Sequence, residues 1–193
     1  MRQVLRQPYW VCRDRLPKEV CEQIIEIGKE LNIRDGGVFG AAENDKILNQ
    51  KYRKTNVGFI PKGHSIETIL HSHVSLANLD SGWNFTVTDK ELAQFAEYKT
   101  GHFYDWHKDV PLNPNVPHRK LSITVNLSDS KDYEGGDLEL KNYWGNQTLK
   151  MPIDLRRQGT IVVFPSMLLH RVTKIKRGTR YSLVQWFSGP EFT

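Results

Sequence analysis

The chain is predicted to be a mainly β protein, a sandwich or barrel of short strands with supporting helices, and two observations predict it. From Trp83 onward, β-branched and aromatic residues recur in short alternating runs separated by turn signals. Ahead of that point the apolar spacing is mostly helical, with one short strand among it. At 193 residues the chain suits one domain, with 1–80 as a helical support region and 83–193 as the β core.

In chain order, Asp14 and Pro17 mark a helix start, Asp14 as cap and Pro17 near the first turn, where its missing N–H is harmless. Val20, Ile24, Ile27 and Leu31 then share a face, so this helix lies against something apolar. Residues 32–50 carry Gly36, Gly37, Gly40 and Asn/Asp turn formers and are expected as a loop long enough to act as a lid. A strand at 55–60 stops at Pro61, and a second helix follows at 65–77. Further strands are expected at 83–88, 92–98, 121–127, 137–140, 148–151, 160–164 and 181–187, with Pro165 and Gly178 punctuating the last two. Glu134-Gly135-Gly136 reads as a hairpin-type turn, and Pro111, Pro114 and Pro117 make the segment after Asp109 an irregular loop.

Composition removes several function classes. The formal charge is +5, and Lys and Arg crowd 46–54 and 171–180. Such runs usually form solvated faces, and with no base-reading motif beside them nucleic acid is not an expected partner. No apolar run is long enough to cross a bilayer, and MRQVLRQPYW lacks the apolar core of a signal peptide, so a soluble, cytoplasmic protein is expected. Cys12 and Cys21 are too few for a disulfide framework and are expected as packing residues. There is no GxSxG elbow and no phosphate-cradling loop.

The sharpest chemical signal is His107-Lys108-Asp109. Side chains at i and i+2 on extended chain point the same way, and imidazole with carboxylate suits a divalent metal. The tripeptide alone decides little. His170 on a later strand adds a third ligand, and two His with one carboxylate leave other coordination positions open, as in non-haem iron(II) oxygenases. The bland alternative is a surface His–Asp pair and an unrelated core His. Arg180, Ser182, Val184 and Trp186 share one strand face, and a buried Arg there needs an anion. Trp106 alternates with His107 and is expected to turn away from the metal into the core. His71 and His73 lie two apart on a helix and face different ways. His64, His102 and His118 sit by turns or Pro and read as solvated imidazoles.

Tyr98 nine residues before His107, then YDWHKD, LSITVNLS, EGGDLEL, GTIVVFPSMLLHRV, GTRYSL and WFSGP, follow one another in a known family order. Over residues 53–192 the chain thus resembles the iron(II)- and 2-oxoglutarate-dependent dioxygenases of the prolyl 4-hydroxylase type, including small bacterial and viral members. The resemblance implies a double-stranded β-helix, the cupin-like jelly roll, with the metal at its open end and helices supporting one sheet. It implies His107, Asp109 and His170 as iron ligands. Arg180 would pair with the C5 carboxylate of 2-oxoglutarate beside Ser182, and Tyr98 would donate to the cosubstrate. Trp186 would line the pocket, and Arg119 matches an Arg that faces substrate in some relatives. Leu138 and Arg180 stand where many prolyl 4-hydroxylases have a hydroxyl residue and a Lys, which leaves Asn126 or Thr124 as second partner of the C5 carboxylate.

Fe(II), 2-oxoglutarate and O2 are the implied cofactors, with ascorbate as a supporting reductant. The implied reaction hydroxylates a prolyl residue of a peptide or protein and decarboxylates 2-oxoglutarate to succinate. The motifs report the cosubstrate rather than the substrate, so another residue, a free amino acid or a nucleobase stands as alternative. A non-catalytic metal-binding jelly-roll module is the rival of a different class. The Arg180, Ser182 and Tyr98 set weighs against it, because a binding module has no need to hold a dicarboxylate.

Overall fold

The computed structural model describes residues 7–36, 51–110, 118–151 and 154–191. Its strands are β1 (Trp10–Cys12), β2 (Arg34–Asp35), β3 (Arg53–Lys54), β4 (Asn56–Phe59), β5 (Asp89–Lys90), β6 (Gln94–Lys99) and β7 (Phe103–His107). They continue with β8 (His118–Asn126), β9 (Tyr133–Gly135), β10 (Leu138–Leu140), β11 (Ile161–Pro165), β12 (His170–Val172) and β13 (Ile175–Gly189). The helices α1 (Lys18–Glu30) and α2 (Ile66–Asp80) precede β5.

The strands pair antiparallel in two sheets. The larger runs β1-β11-β8-β13-β6-β4-β2, with β5 and β9 also on β13, and the smaller runs β10-β12-β7-β3. The sheets face one another as a jelly roll, the architecture that the family resemblance implies.

Period-two alternation gives the large sheet two unlike faces. Leu121, Ile123 and Val125 of β8, Leu183 and Phe187 of β13, and Phe95 of β6 point outward and are fully buried against the helices. Each such side chain contributes about 1.5–3 kcal/mol. Ser122, Thr124 and Asn126 of β8 and Arg180, Ser182 and Trp186 of β13 take the other face, toward the small sheet. Two small apolar clusters fill the rest of the space between the sheets, one around Tyr98, Tyr133 and Ile175 and one around Leu140, Val162 and Phe164.

α1 docks through Cys21, Ile24 and Gly28, with Val20, Ile27 and Leu31 only partly buried at its flanks. The buried stripe is therefore rotated from the expected one toward Cys21, whose thiol burial pushes up to about 11. Gly28 lets the helix settle onto Phe95, because a Cβ there would fall 2.4 Å from the ring.

Several expectations are corrected. Asp14 does not cap α1: it sits at φ 48, pairs with Arg157 at 3.3 Å, and Pro17 takes the N-cap position with no side-chain bond. Residues 83–88 form no strand. Asn84 is left-handed at φ 52, and the Asn78 side chain bonds both the N–H and the carbonyl of Phe85, replacing a neighbouring strand. At 148–151 only one bridge, Lys141 to Thr148, remains of the expected strand. Gly135 and Gly136, at φ 74 and 68, carry the chain from β9 on the large sheet to β10 on the small one rather than closing a hairpin. Gly178, at φ 79, bends β13 rather than ending it, so the strand pairs first with β9 and then with β6 and β8. The expected lid at 32–50 falls, beyond residue 36, outside the described residues, as does the Pro111–Pro117 loop. No helix among the described residues is long and apolar enough to cross a membrane.

Gly28→Val should destabilise the protein by about 1–3 kcal/mol, since the added branches overpack a rigid ring. Urea denaturation against the parent measures this, and an unchanged midpoint would show that the helix does not sit on Phe95.

Candidate active site

The small sheet brings the predicted ligands together. β7 and β12 pair antiparallel with His107 directly opposite His170, while Tyr104 opposes Val172. Two residues of β7, Asp105 and Trp106, thus stand against one of β12, Arg171, which is a β-bulge. The extra residue breaks strict alternation and turns both Tyr104 and His107 inward, where their rings stack at 3.4 Å between centroids. Trp106 does turn away from the metal, yet it does not enter the core. It lies half-buried between Lys141 and Arg171, each 4.7 Å from its ring, a cation–π arrangement.

Past the end of β7, Asp109 is tied back by its N–H, which donates to the Ser166 carbonyl at 2.9 Å. Its carboxylate lies 3.6 Å from His107 Nε2 and 3.5 Å from His170 Nε2. One donor atom from each residue falls within a 4.8 Å cluster. The imidazoles are oriented from behind: His107 Nδ1 meets the Asp105 carbonyl at 2.7 Å and His170 Nδ1 meets that of Leu168 at 2.9 Å. A carbonyl only accepts, so each Nδ1 donates, and Nε2 is the ring nitrogen turned to Asp109 and available to a metal. Ser122 donates to Asp109 Oδ2 at 2.7 Å and shares a 3.0 Å hydrogen bond with Ser166.

Protonation suits metal binding. Burial, with His170 alongside, pulls His107 down to about 3, so its ring is neutral. Burial pushes the Asp109 carboxyl up, but His170, His107 and the Ser122 hydroxyl outweigh it and hold the group below the usual carboxylate range. The Trp186 indole N–H adds to this while falling short of hydrogen-bonding geometry. Burial pushes the Tyr104 phenol up to about 12, which keeps it a neutral donor. Two imidazoles and a carboxylate, fixed by hydrogen bonds, are a donor set that fits iron(II).

Facing this set across a cavity of about 50 Å³ are Tyr98, Arg180, Ser182 and Trp186 of the large sheet. Arg180 is 4% exposed, lies beside Tyr98 across β13 and β6, and has one guanidinium nitrogen with no partner among the described residues. The anion that its strand face requires is not supplied by the described protein groups.

Arg119 lies at the rim, its guanidinium forked onto Glu91, donating to the Asp109 carbonyl at 3.2 Å and stacked 4.0 Å over Trp186. Asn126 does not line the metal cavity. Its amide donates to the Ser128 and Arg156 carbonyls at 2.8 and 2.7 Å and accepts from Tyr133, so it braces the wall and has no donor left for a carboxylate. His102, expected in solvent, is 8% exposed, and burial lowers its pKa. His64 instead accepts from the Ile66 N–H at the start of α2, and His118 pairs with Glu191.

Sequence reasoning missed Ser122, Ser166, Tyr104 and Glu91. The first had a signal, a hydroxyl between Leu121 and Ile123 in a central strand, where a dry polar side chain needs a partner. Tyr104 lies three residues before His107, on the opposite face of a regular strand, and only the bulge turns it inward. Ser166 and Glu91 come from distant segments with no periodic mark.

The model of the 2OG-Fe(II) oxygenase superfamily matches residues 93–188. A PKHD-type hydroxylase of Thermosynechococcus vestitus is 35% identical over 166 residues, covering 83% of this chain and 72% of that protein. One of Pseudomonas fluorescens is 35% identical over 139 residues, covering 66% and 58%. The chain spans about half the length of other curated relatives, such as 49% of the Alteromonas mediterranea protein. Among solved structures, a Pseudomonas putida prolyl-4-hydroxylase superposes with TM-score 0.70 at 21% identity, covering 94% of this chain and 93% of that one. A Trichoplax adhaerens prolyl hydroxylase, in complex with a hypoxia inducible factor peptide fragment, superposes with TM-score 0.69 at 20% identity, covering 94% and 83%. These two share the jelly-roll fold. The chain therefore belongs to the 2OG-Fe(II) oxygenase superfamily.

Proposed function

We propose that this dioxygenase hydroxylates a prolyl residue in a peptide or protein and converts 2-oxoglutarate to succinate and carbon dioxide. The observation that carries the reading is the buried Arg180 guanidinium, one nitrogen of which has no hydrogen-bond partner among the described residues, across one cavity from the His107, Asp109 and His170 cluster. That pairing asks for a ligand with a metal-chelating end and an anionic end. The prolyl part is supported by the solved neighbours, one of which holds a peptide fragment.

His107, Asp109 and His170 would hold the iron, which when bound supplies the activation of O2. The remaining work belongs to the protein. Arg180, beside Ser182, binds the far carboxylate of the cosubstrate and sets its orientation, which a planar guanidinium does with two parallel donors. Tyr98 and Tyr104 stand along the cavity as phenol donors. Trp186 and Phe164 exclude water, which strengthens every polar contact inside. Arg119, held by Glu91, braces the Asp109 backbone and the Trp186 ring at the rim.

Incubation with iron(II), ascorbate, 2-oxoglutarate and a peptide library, followed by mass spectrometry, should show succinate together with one added oxygen on Pro peptides. Oxygen gained only by other residues, free amino acids or nucleobases would remove the prolyl assignment. Absence of succinate from metal-loaded protein with every substrate would leave a binding module.

His107→Ala should abolish succinate formation, and Arg180→Ala should weaken 2-oxoglutarate binding by about two orders of magnitude. Unchanged cosubstrate affinity in the second variant would refute the role of Arg180. Ser122→Ala should lower metal affinity about ten- to a hundred-fold without unfolding the chain, as loss of a hydrogen bond behind a ligand does. Titration with Mn(II) followed calorimetrically measures it, and parent-like affinity would show that Ser122 does not support Asp109.

A further inference from the structure

The outer face of the small sheet, turned away from the metal cavity, gathers cations and aromatic rings that the proposed reaction does not use. The basic runs at 46–54 and 171–180 are far apart in sequence, yet β3 and β12 lie on either side of β7 and bring them together. Arg53 turns inward, 4.5 Å over the Tyr104 ring, so by alternation Lys54 and the Phe103 it opposes face out. Lys174 lies 5.7 Å from the Phe103 ring. Farther along β7, Trp106 carries Lys141 and Arg171, each 4.7 Å from its ring. No ion pair ties Lys54, Lys141 or Lys174 among the described residues. Arg171 Nε donates to Glu139 at 2.7 Å, which shows where a carboxylate sits on this face, and Asp105 turns its own carboxylate to the Trp106 backbone N–H. Cations resting on rings are already held in place, so less side-chain freedom is lost when an acid arrives.

Just past Lys141 stands Trp144, 84% exposed. The turn that carries it is nonetheless firmly tied. The Lys141 N–H donates to the Leu169 carbonyl at 2.8 Å, the Asn142 N–H to that of Gln147 at 2.9 Å, and the Asn142 amide to Asn146 Oδ1 at 2.8 Å. An indole bared on an ordered turn beside a basic face is the kind of side chain that anchors a protein interface. Nucleic acid fits the face less well, because a stacked base needs a free ring. The Trp106 and Phe103 rings already carry cations.

We infer that the outer face of the small sheet is a docking surface for an acidic segment of a partner protein. Lys54, Lys141 and Lys174 meet its carboxylates, and Trp144 covers an apolar side chain beside them. The metal ligands occupy the opposite side of the same sheet, so docking here is separate from cosubstrate binding.

Fluorescence polarisation of a labelled Asp- and Glu-rich peptide carrying one Leu, mixed with the full chain, tests this. The parent should bind the peptide, and bind it more weakly as salt rises. Lys141→Glu combined with Lys174→Glu should weaken binding about ten-fold or more, and Lys141→Gln with Lys174→Gln should weaken it less. Trp144→Ala should cost about ten-fold, and so should replacing the peptide Leu by Gly. Mn(II) affinity and melting temperature should stay at parent values in all three variants. No binding by the parent at low salt, or parent-like binding in the charge-reversed and Trp144→Ala variants, would overturn the proposal. Tighter binding of an oligo(dT) strand or of phosphatidylserine vesicles than of the peptide, lost in the same variants, would overturn it too, by making the surface a nucleic-acid or lipid face.

Discussion

The fold depends on one sheet keeping its two faces chemically separate. β8 and β13 place Leu121, Ile123, Leu183 and Phe187 against the helices, and Ser122, Arg180 and Ser182 against the other sheet. A buried hydroxyl or guanidinium costs free energy unless it is bonded. The tight packing of α1 and α2 on the far face offsets that cost, and so permits a polar interior where a sandwich would ordinarily be apolar. A slip of one residue in register would exchange the two faces and destroy core and site together. The two small apolar clusters on either side of the site complete this arrangement by closing the space between the sheets.

Opposite that face, the bulge at Asp105 and Trp106 decides where the metal ligands point. Without it, alternation would place Tyr104 and His107 on different faces. With it, both turn inward and His107 meets His170 across the strand pair. Each imidazole is then set by a backbone carbonyl two residues earlier in the chain, Asp105 for His107 and Leu168 for His170. Ligand geometry is thus written mostly in backbone, and the side chains that support it, Ser122 and Ser166, come from β8 and from the turn just after β11 of the opposing sheet.

Much of this was legible in the sequence. The runs at 121–127, 160–164 and 181–187 are long and alternating, and β8, β11 and β13 lie on them. The i, i+2 spacing of His107 and Asp109 and the shared face of Arg180, Ser182 and Trp186 follow from strand geometry alone, and the cavity has all of them in its wall. What failed did so for local reasons. Residues 83–88 alternate like a strand, but the Asn78 side chain takes the hydrogen bonds that a neighbour would need. Gly178 looks like a stop, yet its left-handed backbone is a bend within a strand that changes partners. Asn126 has the right chemistry for a carboxylate, and only the Ser128 and Arg156 carbonyls, distant or irregular in sequence, show that its donors are taken. Bulges and side-chain competition leave no period to read.

The choice of Arg rather than Lys at position 180 carries a final consequence. A buried ammonium can shed its proton and rest neutral while the site is empty, whereas a guanidinium cannot. Arg180 therefore keeps its charge in this dry setting, packed between the Tyr98 ring and Gly136, where an added Cβ would sit 3.1 Å from Arg180 Cδ. An anion binding at this point would give that nitrogen a charge-assisted hydrogen bond. The same linkage means that the cosubstrate stabilises the folded chain in proportion to its occupancy. Specificity follows from the same cause, since a neutral ligand of equal shape would leave the guanidinium as poorly satisfied as water-free protein does.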